Sequence, residues 1–123
     1  MGGLNRSILA GRLVADPEVR YTKNETAVTH FRLAINWRGK NGNGTDFINC
    51  VAWNGLAKVC GEYLKKGRLV AVEGRLQIRS YKDKAGKPKQ STEVSVDNLQ
   101  MLDSKFFNAT SKEEKSEPEL IEI

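Results

Sequence analysis

The chain has 123 residues and a net charge of +5, with 39% hydrophobic and 28% charged residues. This length suffices for one hydrophobic core, and no apolar run approaches the roughly 20 residues needed to span a bilayer. The composition therefore excludes a membrane-spanning helix and favours one globular domain. Because Met1 is followed by no apolar segment of the signal-peptide kind, we expect a cytoplasmic protein.

The charge is distributed unevenly along the chain. Residues 1–105 hold 18 of the 20 Lys and Arg but only 10 of the 15 Asp and Glu, whereas residues 106–123 hold two lysines and five glutamates. A basic body is typical of proteins that contact polyanions. From about Ser104 the chain is rich in Lys, Glu and Ser and lacks periodicity. We therefore predict one domain over residues 1–104 and a disordered acidic tail over residues 105–123.

Most of the body has the alternating pattern of β-strands. In chain order, the pattern predicts strands over residues 5–14, 27–37, 46–53, 68–81 and 91–102, with a short extended piece at 19–21. The glycine-rich stretch 39–44 predicts a flexible hairpin loop between the second and third main strands.

One helix is predicted, over residues 56–66. Its apolar stripe follows helical spacing and comprises Leu56, Val59, Cys60, Tyr63 and Leu64, all expected in the core. Lys65 and Lys66 in the last turn and Gly67 beyond it fit the end of a helix. Five main strands with a helix between the third and fourth predict an all-β fold, a five-stranded OB-fold barrel.

The side chains of the last two strands are assigned to faces by parity. In residues 68–81 the inward set is Val70, Val72, Leu76 and Ile78, and the opposite face carries Arg75, Gln77, Arg79 and Tyr81. In the final strand Val94 and Val96 are predicted to point inward.

The sequence offers little for catalysis or metal binding. Cys50 and Cys60 lie in apolar surroundings without Cys-x-x-Cys spacing, and His30 is the only histidine, so both thiols are predicted to be buried. No Ser/His/Asp set is recognisable. We predict no enzyme, no catalytic residue, no metal and no cofactor.

Four aromatic residues lie where a strand face ends or an excursion begins: Trp37, Phe47, Trp53 and Tyr81. Three of them have strongly polar neighbours on the same face, which a core aromatic rarely has. Aromatic rings stack on the bases of single strands whatever their sequence, and basic side chains neutralise the phosphates. The basic residues predicted to contact phosphate are Arg6, Arg32, Arg38, Lys40, Arg75, Arg79, Lys82, Lys84, Lys87 and Lys89. A hairpin with four lysines is, taken alone, equally well read as a solvated loop.

Several short stretches in order resemble the bacterial single-stranded DNA-binding protein family. They are residues 4–13 (LNRSILAGRL), 16–22 (DPEVRYT), Ala27-Val28 with Phe31 and Leu33-Ala34, residues 62–67 (EYLKKG), 72–76 (VEGRL) and 92–94 (TEV). The resemblance covers about Leu4 to Asp103. It implies an OB-fold homotetramer that binds single-stranded DNA during replication, recombination and repair, at the nucleoid, and it assigns base stacking to Trp37, Phe47, Trp53 and Tyr81.

The end of the chain departs from the pattern of that family. Members that recruit partners usually end in an acidic run followed by Ile-Pro-Phe after a long Gly- and Gln-rich linker, whereas this chain has almost no linker. Its last residues mix acidic and apolar side chains: Glu119, Leu120, Ile121, Glu122 and Ile123. A partner pocket with a basic rim could accept this mixture, so the segment is a candidate for binding replication or repair proteins, although its departure from the family ending argues against recruitment of the usual ones.

Two other binding functions are compatible with the same residues. One is an OB-fold adaptor that loads replication proteins and contacts DNA only weakly, although four well-placed aromatics argue against it. The other is an RNA-binding OB-fold, since stacking and phosphate contacts do not read the 2′-hydroxyl.

Overall fold

The structure is a computed structural model, and it describes residues 2–102. This part of the chain forms six strands and one helix: β1 (Ser7–Leu13), β2 (Glu18–Tyr21), β3 (Ala27–Gly39), β4 (Gly42–Trp53), α1 (Asn54–Tyr63), β5 (Leu69–Lys82) and β6 (Pro88–Met101). Among these residues no helix is long and apolar enough to cross a membrane. The predicted tail, residues 105–123, lies outside the described residues.

The five long strands close into a barrel. In the sheet order β1-β5-β6-β4-β3-β2, all neighbours are antiparallel except β4 and β6, which run parallel at Asn49↔Glu93. An additional pairing of Leu13 with Leu33 joins β1 to β3 and completes the ring. The helix connects β4 to β5, the third and fourth long strands. The structure therefore confirms the predicted OB-fold barrel, with β2 as the short extended piece on β3.

The core fills the barrel and extends under α1. In β3 the inward positions Ala27, Phe31 and Leu33 are buried as the alternation predicts. Thr29, also fully buried, donates its hydroxyl proton to the carbonyl oxygen of Ala57 in α1 at 2.7 Å. This bond satisfies a buried polar group and fixes the helix across the open end of the barrel.

The helix begins two residues earlier than predicted, at Asn54, and ends three residues earlier. It ends at Tyr63, with Leu64 in extended conformation and 2% exposed, so Lys65 and Lys66 lie beyond the last turn. The carboxylate of Asp16 accepts the backbone N–H of Lys66 at 2.8 Å. This long-range bond holds the chain in a turn that local propensity does not reveal. Within the predicted stripe, the expectation for Tyr63 is wrong, because its side chain is 46% exposed.

The predicted loop at residues 39–44 is mostly strand. The β3 and β4 strands stay paired as far as Gly39↔Gly42, which leaves Lys40 and Asn41 as a two-residue turn. The indole of Trp37 occupies the space where a side chain at Gly44 would lie. The glycine here therefore makes room for an aromatic ring and does not provide flexibility.

Strand β5 changes environment at a bulge between Glu73 and Gly74. A side chain at Gly74 would collide with the backbone of Ser95, so the two strands approach closely there. The pairing with β1 ends at Ser7↔Gly74, and the side-chain amide of Asn5 bonds both backbone polar groups of Leu76. Beyond this point β5 and β6 continue as a two-stranded ribbon, residues 78–92, which we call the arm.

The inward assignment of β5 is right before the bulge and wrong after it. Val70 and Val72 are buried, whereas Leu76 is 43% and Ile78 is 60% exposed. The alternation itself continues, but no further layer covers this apolar side at Leu76 and along the arm. In β6, Val94 and Val96 are buried as predicted because they lie in the barrel.

Candidate nucleic-acid interface

Three of the four predicted stacking aromatics share one face of the sheet. Phe47 and Trp53 have the same parity on β4, and Asn49 between them pairs with Glu93 of β6. Glu93 in turn shares its side of the ribbon with Lys89, the partner of Tyr81. Paired residues point to the same side of a sheet. Phe47, Trp53 and Tyr81 therefore lie on one continuous surface, which we call the outer face.

The rings on the outer face are accessible. Phe47 and Tyr81 are each 52% exposed and Trp53 is 38% exposed, while most core side chains are below 3%. Large aromatic groups are normally covered, because each buries a large apolar area. Three of them left uncovered on one surface indicate a binding surface.

Trp37 lies on the opposite side of the β3–β4 ribbon. It pairs with Gly44, whereas Phe47 pairs with Ala34, three positions along β3 and so on the other side. The Trp37 ring is 47% exposed beside a shallow cleft lined by Arg38 and Asn43. The structure thus separates Trp37 from the other three aromatics.

A cation covers one side of the Phe47 ring. The guanidinium carbon of Arg32 lies 5.2 Å from the ring centroid, a distance at which the cation and the π-system attract each other. Arg32 is on β3, diagonally across from Phe47 on the same face. This contact orients the ring, which is still about half exposed.

The predicted phosphate-contacting residues fall into two groups. Arg6 is ion-paired with Glu73, and Arg79 Nε lies 3.0 Å from Glu93 Oε2, so these two cations are largely neutralised. Within residues 2–102, the other eight form no ion pair with a carboxylate: Arg32, Arg38, Lys40, Arg75, Lys82, Lys84, Lys87 and Lys89. Unpaired cations are the ones that bind phosphate without first losing another partner.

The tip of the arm is a tight turn organised by Asp83. Its carboxylate accepts the backbone N–H groups of Ala85 and Lys87, both at 2.9 Å. An Asp that caps its own turn fixes the backbone without help from the barrel. Lys84 and Lys87 are consequently held at a defined, exposed tip.

The two cysteines are buried in the core. Burial raises the pKa of the Cys50 and Cys60 thiols to about 12, so both stay protonated and unreactive at neutral pH. This confirms the prediction of buried thiols. Within the described part of the chain, no three His, Cys, Asp or Glu side chains converge as metal ligands.

Sequence reasoning did not single out Glu93, which lies at the centre of the outer face. Its side chain is only 9% exposed and holds Arg79. A lone acidic residue in an alternating strand gives no signal of burial. The position of Glu93 on the outer face follows only from the parallel pairing of β4 with β6. The predicted partner-binding residues 119–123 lie outside the described residues.

An OB-fold barrel that exposes aromatic rings and unpaired cations on one surface is typical of nucleic-acid-binding proteins. The sequence model of the single-strand binding protein family matches residues 4–102. The chain belongs to this family.

Comparisons with individual proteins agree with this assignment. Single-stranded DNA-binding protein 1 of Lactococcus lactis is 42% identical over 119 residues, covering 94% of this chain and 77% of the relative. Single-stranded DNA-binding protein A of Bacillus subtilis is 47% identical over 105 residues, covering 83% of this chain and 61% of the relative.

The fold is also similar to a solved structure, a Plasmodium falciparum SSB complex with single-stranded DNA. The TM-score is 0.77 at 31% identity, with 84% of this chain and 98% of that chain covered.

Proposed function

We propose that this protein binds single-stranded DNA without marked sequence preference and protects it, with no catalytic step. The observation that carries the proposal is the outer face, where Phe47, Trp53 and Tyr81 are exposed beside unpaired cations. Duplex DNA hides its bases, so a surface of this kind suits a strand whose bases are free to stack. The similarity to a protein solved with single-stranded DNA supports the same conclusion.

Binding energy comes from two sources in this proposal. Each base stacked on a ring contributes about 1–3 kcal/mol, whatever its identity. The lysines of the arm and the cations Arg38 and Lys40 at the β3–β4 turn contact phosphates and release bound counterions. Affinity should therefore fall steeply as the salt concentration rises.

Assembly into a homotetramer is part of the proposal. One copy leaves large apolar side chains uncovered on the barrel and arm, with Ile8 at 72%, Leu76 at 43% and Ile78 at 60% exposed. These side chains offer contact surface for further copies. We further propose action in replication, recombination and repair at the cytoplasmic nucleoid, with residues 119–123 contacting partner proteins.

Tryptophan fluorescence provides the decisive test. Trp53 is partly exposed on the outer face, so base stacking should quench its emission. The protein would be titrated with polythymidine and with a duplex of equal length, each at low and high salt. Tight, salt-sensitive quenching by the single strand alone supports the proposal. Equal weak binding to both nucleic acids would overturn it and favour the adaptor function.

A pair of aromatic variants tests the location of the site. Trp53→Ala should weaken polythymidine binding by about 1–3 kcal/mol, because it removes a ring from the outer face. Tyr63→Ala is the matched control, since Tyr63 is comparably exposed but lies on α1. If both variants bind as wild type, measured by fluorescence anisotropy of labelled DNA, Trp53 is not in the site.

A further inference from the structure

A cleft opens on the outer face beside Arg32. It has a volume of about 420 Å³ and lies between β3, β4, β6 and the connection from β1 to β2. Its polar lining is Arg32, Asn49 and Glu93 together with His30, Asp16 and Glu18. Asp16 already accepts the backbone N–H of Lys66, and Glu18 is paired with Arg20, so Glu93 is the carboxylate that we take as the acceptor for a base. The volume lies in the range of small-ligand pockets, so the cleft has room for a nucleobase.

Three residues of the polar lining form one row across three strands. Glu93 of β6 pairs with Asn49 of β4, and Asn49 pairs with Arg32 of β3. Because paired residues share a face, the three side chains stand side by side on the outer face. The row thus places an acceptor-only carboxylate on one side of the amide and a donor-only guanidinium on the other.

Glu93 keeps hydrogen-bonding capacity in this position. One carboxylate oxygen accepts the Nε–H of Arg79 at 3.0 Å, and the side chain is 9% exposed. An ionised carboxylate offers about four acceptor sites, so it is able to take a further donor from the cleft. The ionised Glu93 carboxylate has no donor for a group that itself accepts hydrogen bonds.

Cytosine complements this row, and thymine does not. The pairing edge of cytosine carries an amino donor at one end and a carbonyl acceptor at the other, which match Glu93 and Arg32. Thymine carries carbonyl oxygens at both ends, so one of them always faces the carboxylate. We propose that this cleft is a base-binding pocket that favours cytosine over thymine through Glu93. The inference rests on the proposed function and adds a modest preference to sequence-tolerant stacking.

The test compares oligocytidine and oligothymidine deoxynucleotides of equal length, at pH 7.5 and fixed salt, in wild type and Glu93→Gln. Glutamine is nearly the same size but carries an NH₂ that donates to the thymine carbonyl. The measured quantity is the ratio of the two dissociation constants within each protein. We expect this ratio to shift toward thymine by about fivefold or more in Glu93→Gln, the low end for a base contact.

Glu73→Gln is the matched control. It removes the carboxylate of the other neutralised pair, with Arg6, which lies on the β1–β5 side of the barrel. The control should leave the ratio at its wild-type value. Loss of an ion pair alone changes the affinity for both oligomers together, so a structural role for Glu93 would not move the ratio.

The outcomes separate this inference from the proposed function. A shifted ratio in Glu93→Gln with an unchanged ratio in Glu73→Gln supports the pocket. Binding of both oligomers with one ratio in all three proteins overturns the pocket and leaves single-strand binding intact. Failure of wild type to bind either oligomer overturns the proposed function itself.

Discussion

Strand β5 passes through two environments that differ although its sequence pattern is continuous. Before the bulge, Val70 and Val72 are buried in the barrel; after it, Leu76 and Ile78 continue the same alternation and are exposed. The first half has strands on both sides and a core beneath it, whereas the arm is a two-stranded ribbon. Alternation therefore reports which residues share a face, but not whether that face is covered.

The two halves also carry different roles in our proposal. The barrel supplies stability through tightly packed side chains, and the arm supplies Tyr81 and a cluster of lysines. If this division is right, variants in the barrel should affect unfolding and variants in the arm should affect binding.

Leu99→Ala should lower the free energy of unfolding by about 2–5 kcal/mol, because Leu99 is 2% exposed and its loss leaves a cavity in the barrel. Tyr81→Ala in the arm should change it by no more than about 0.5 kcal/mol, since that ring is half exposed. Urea denaturation at one protein concentration measures both. Equal losses would show that the arm and the barrel are one stabilising unit.

Tyr81→Ala should weaken binding to polythymidine by about 1–3 kcal/mol, because stacking requires the ring. Tyr81→Phe keeps the ring without the hydroxyl and should bind like wild type. Anisotropy titration of a labelled strand measures both affinities. A phenylalanine variant as weak as the alanine variant would assign the contact to the hydroxyl and contradict stacking.

The combined change Lys84→Ala and Lys87→Ala should make the salt dependence of binding shallower, by about 0.7 in the slope of log K against log salt for each lysine lost. Arg6→Ala should change the slope less, because Glu73 already neutralises Arg6. Titrations at four or more salt concentrations give the slopes. A larger change in Arg6→Ala would place the phosphate path along the barrel and not along the arm.

Iodoacetamide at pH 8 should leave both cysteines unmodified in the folded protein and modify both in guanidinium chloride, as mass spectrometry would show. Burial raises the pKa of each thiol from 9.0 to about 12, so little thiolate exists in the folded state. Because the unfolded chain releases these protons at lower pH, the thiols reduce folded stability only as pH rises from about 9 toward 12. Rapid labelling of the folded protein would mean that the barrel opens readily.

The sequence predicted the elements that depend on local pattern. The inward positions of β3, from Ala27 to Leu33, follow from alternation, and the position of the helix between the third and fourth long strands follows from its apolar stripe. The expected end of the helix was wrong because a distant carboxylate, that of Asp16, holds the chain at Lys66. Contacts of that kind have no signature in the local residues.

The sequence predicted which residue types form the candidate site, but it predicted less of how these residues are arranged in space. Composition indicated aromatic and basic residues, but only the strand register shows that Trp37 is on the opposite side of its ribbon from Phe47. Ion pairing likewise depends on the fold. Nothing in the sequence shows which of Arg79 and Lys89 is paired, but in the structure Glu93 neutralises only Arg79. The cleft between β3, β4 and β6 depends on the pairing of β4 with β6, two strands that are not consecutive in the chain.

The ring of the barrel includes the parallel pairing of β4 with β6, the last strand of the described chain. During translation, β1 to β4 and α1 are synthesised before β6. The edge of β4 that pairs with β6 therefore stays unpaired until β5 and β6 have been added. Unpaired edges in unfinished sheets are prone to wrong pairings. A ribosome-bound chain therefore acquires its closed barrel only after β6 has left the exit tunnel.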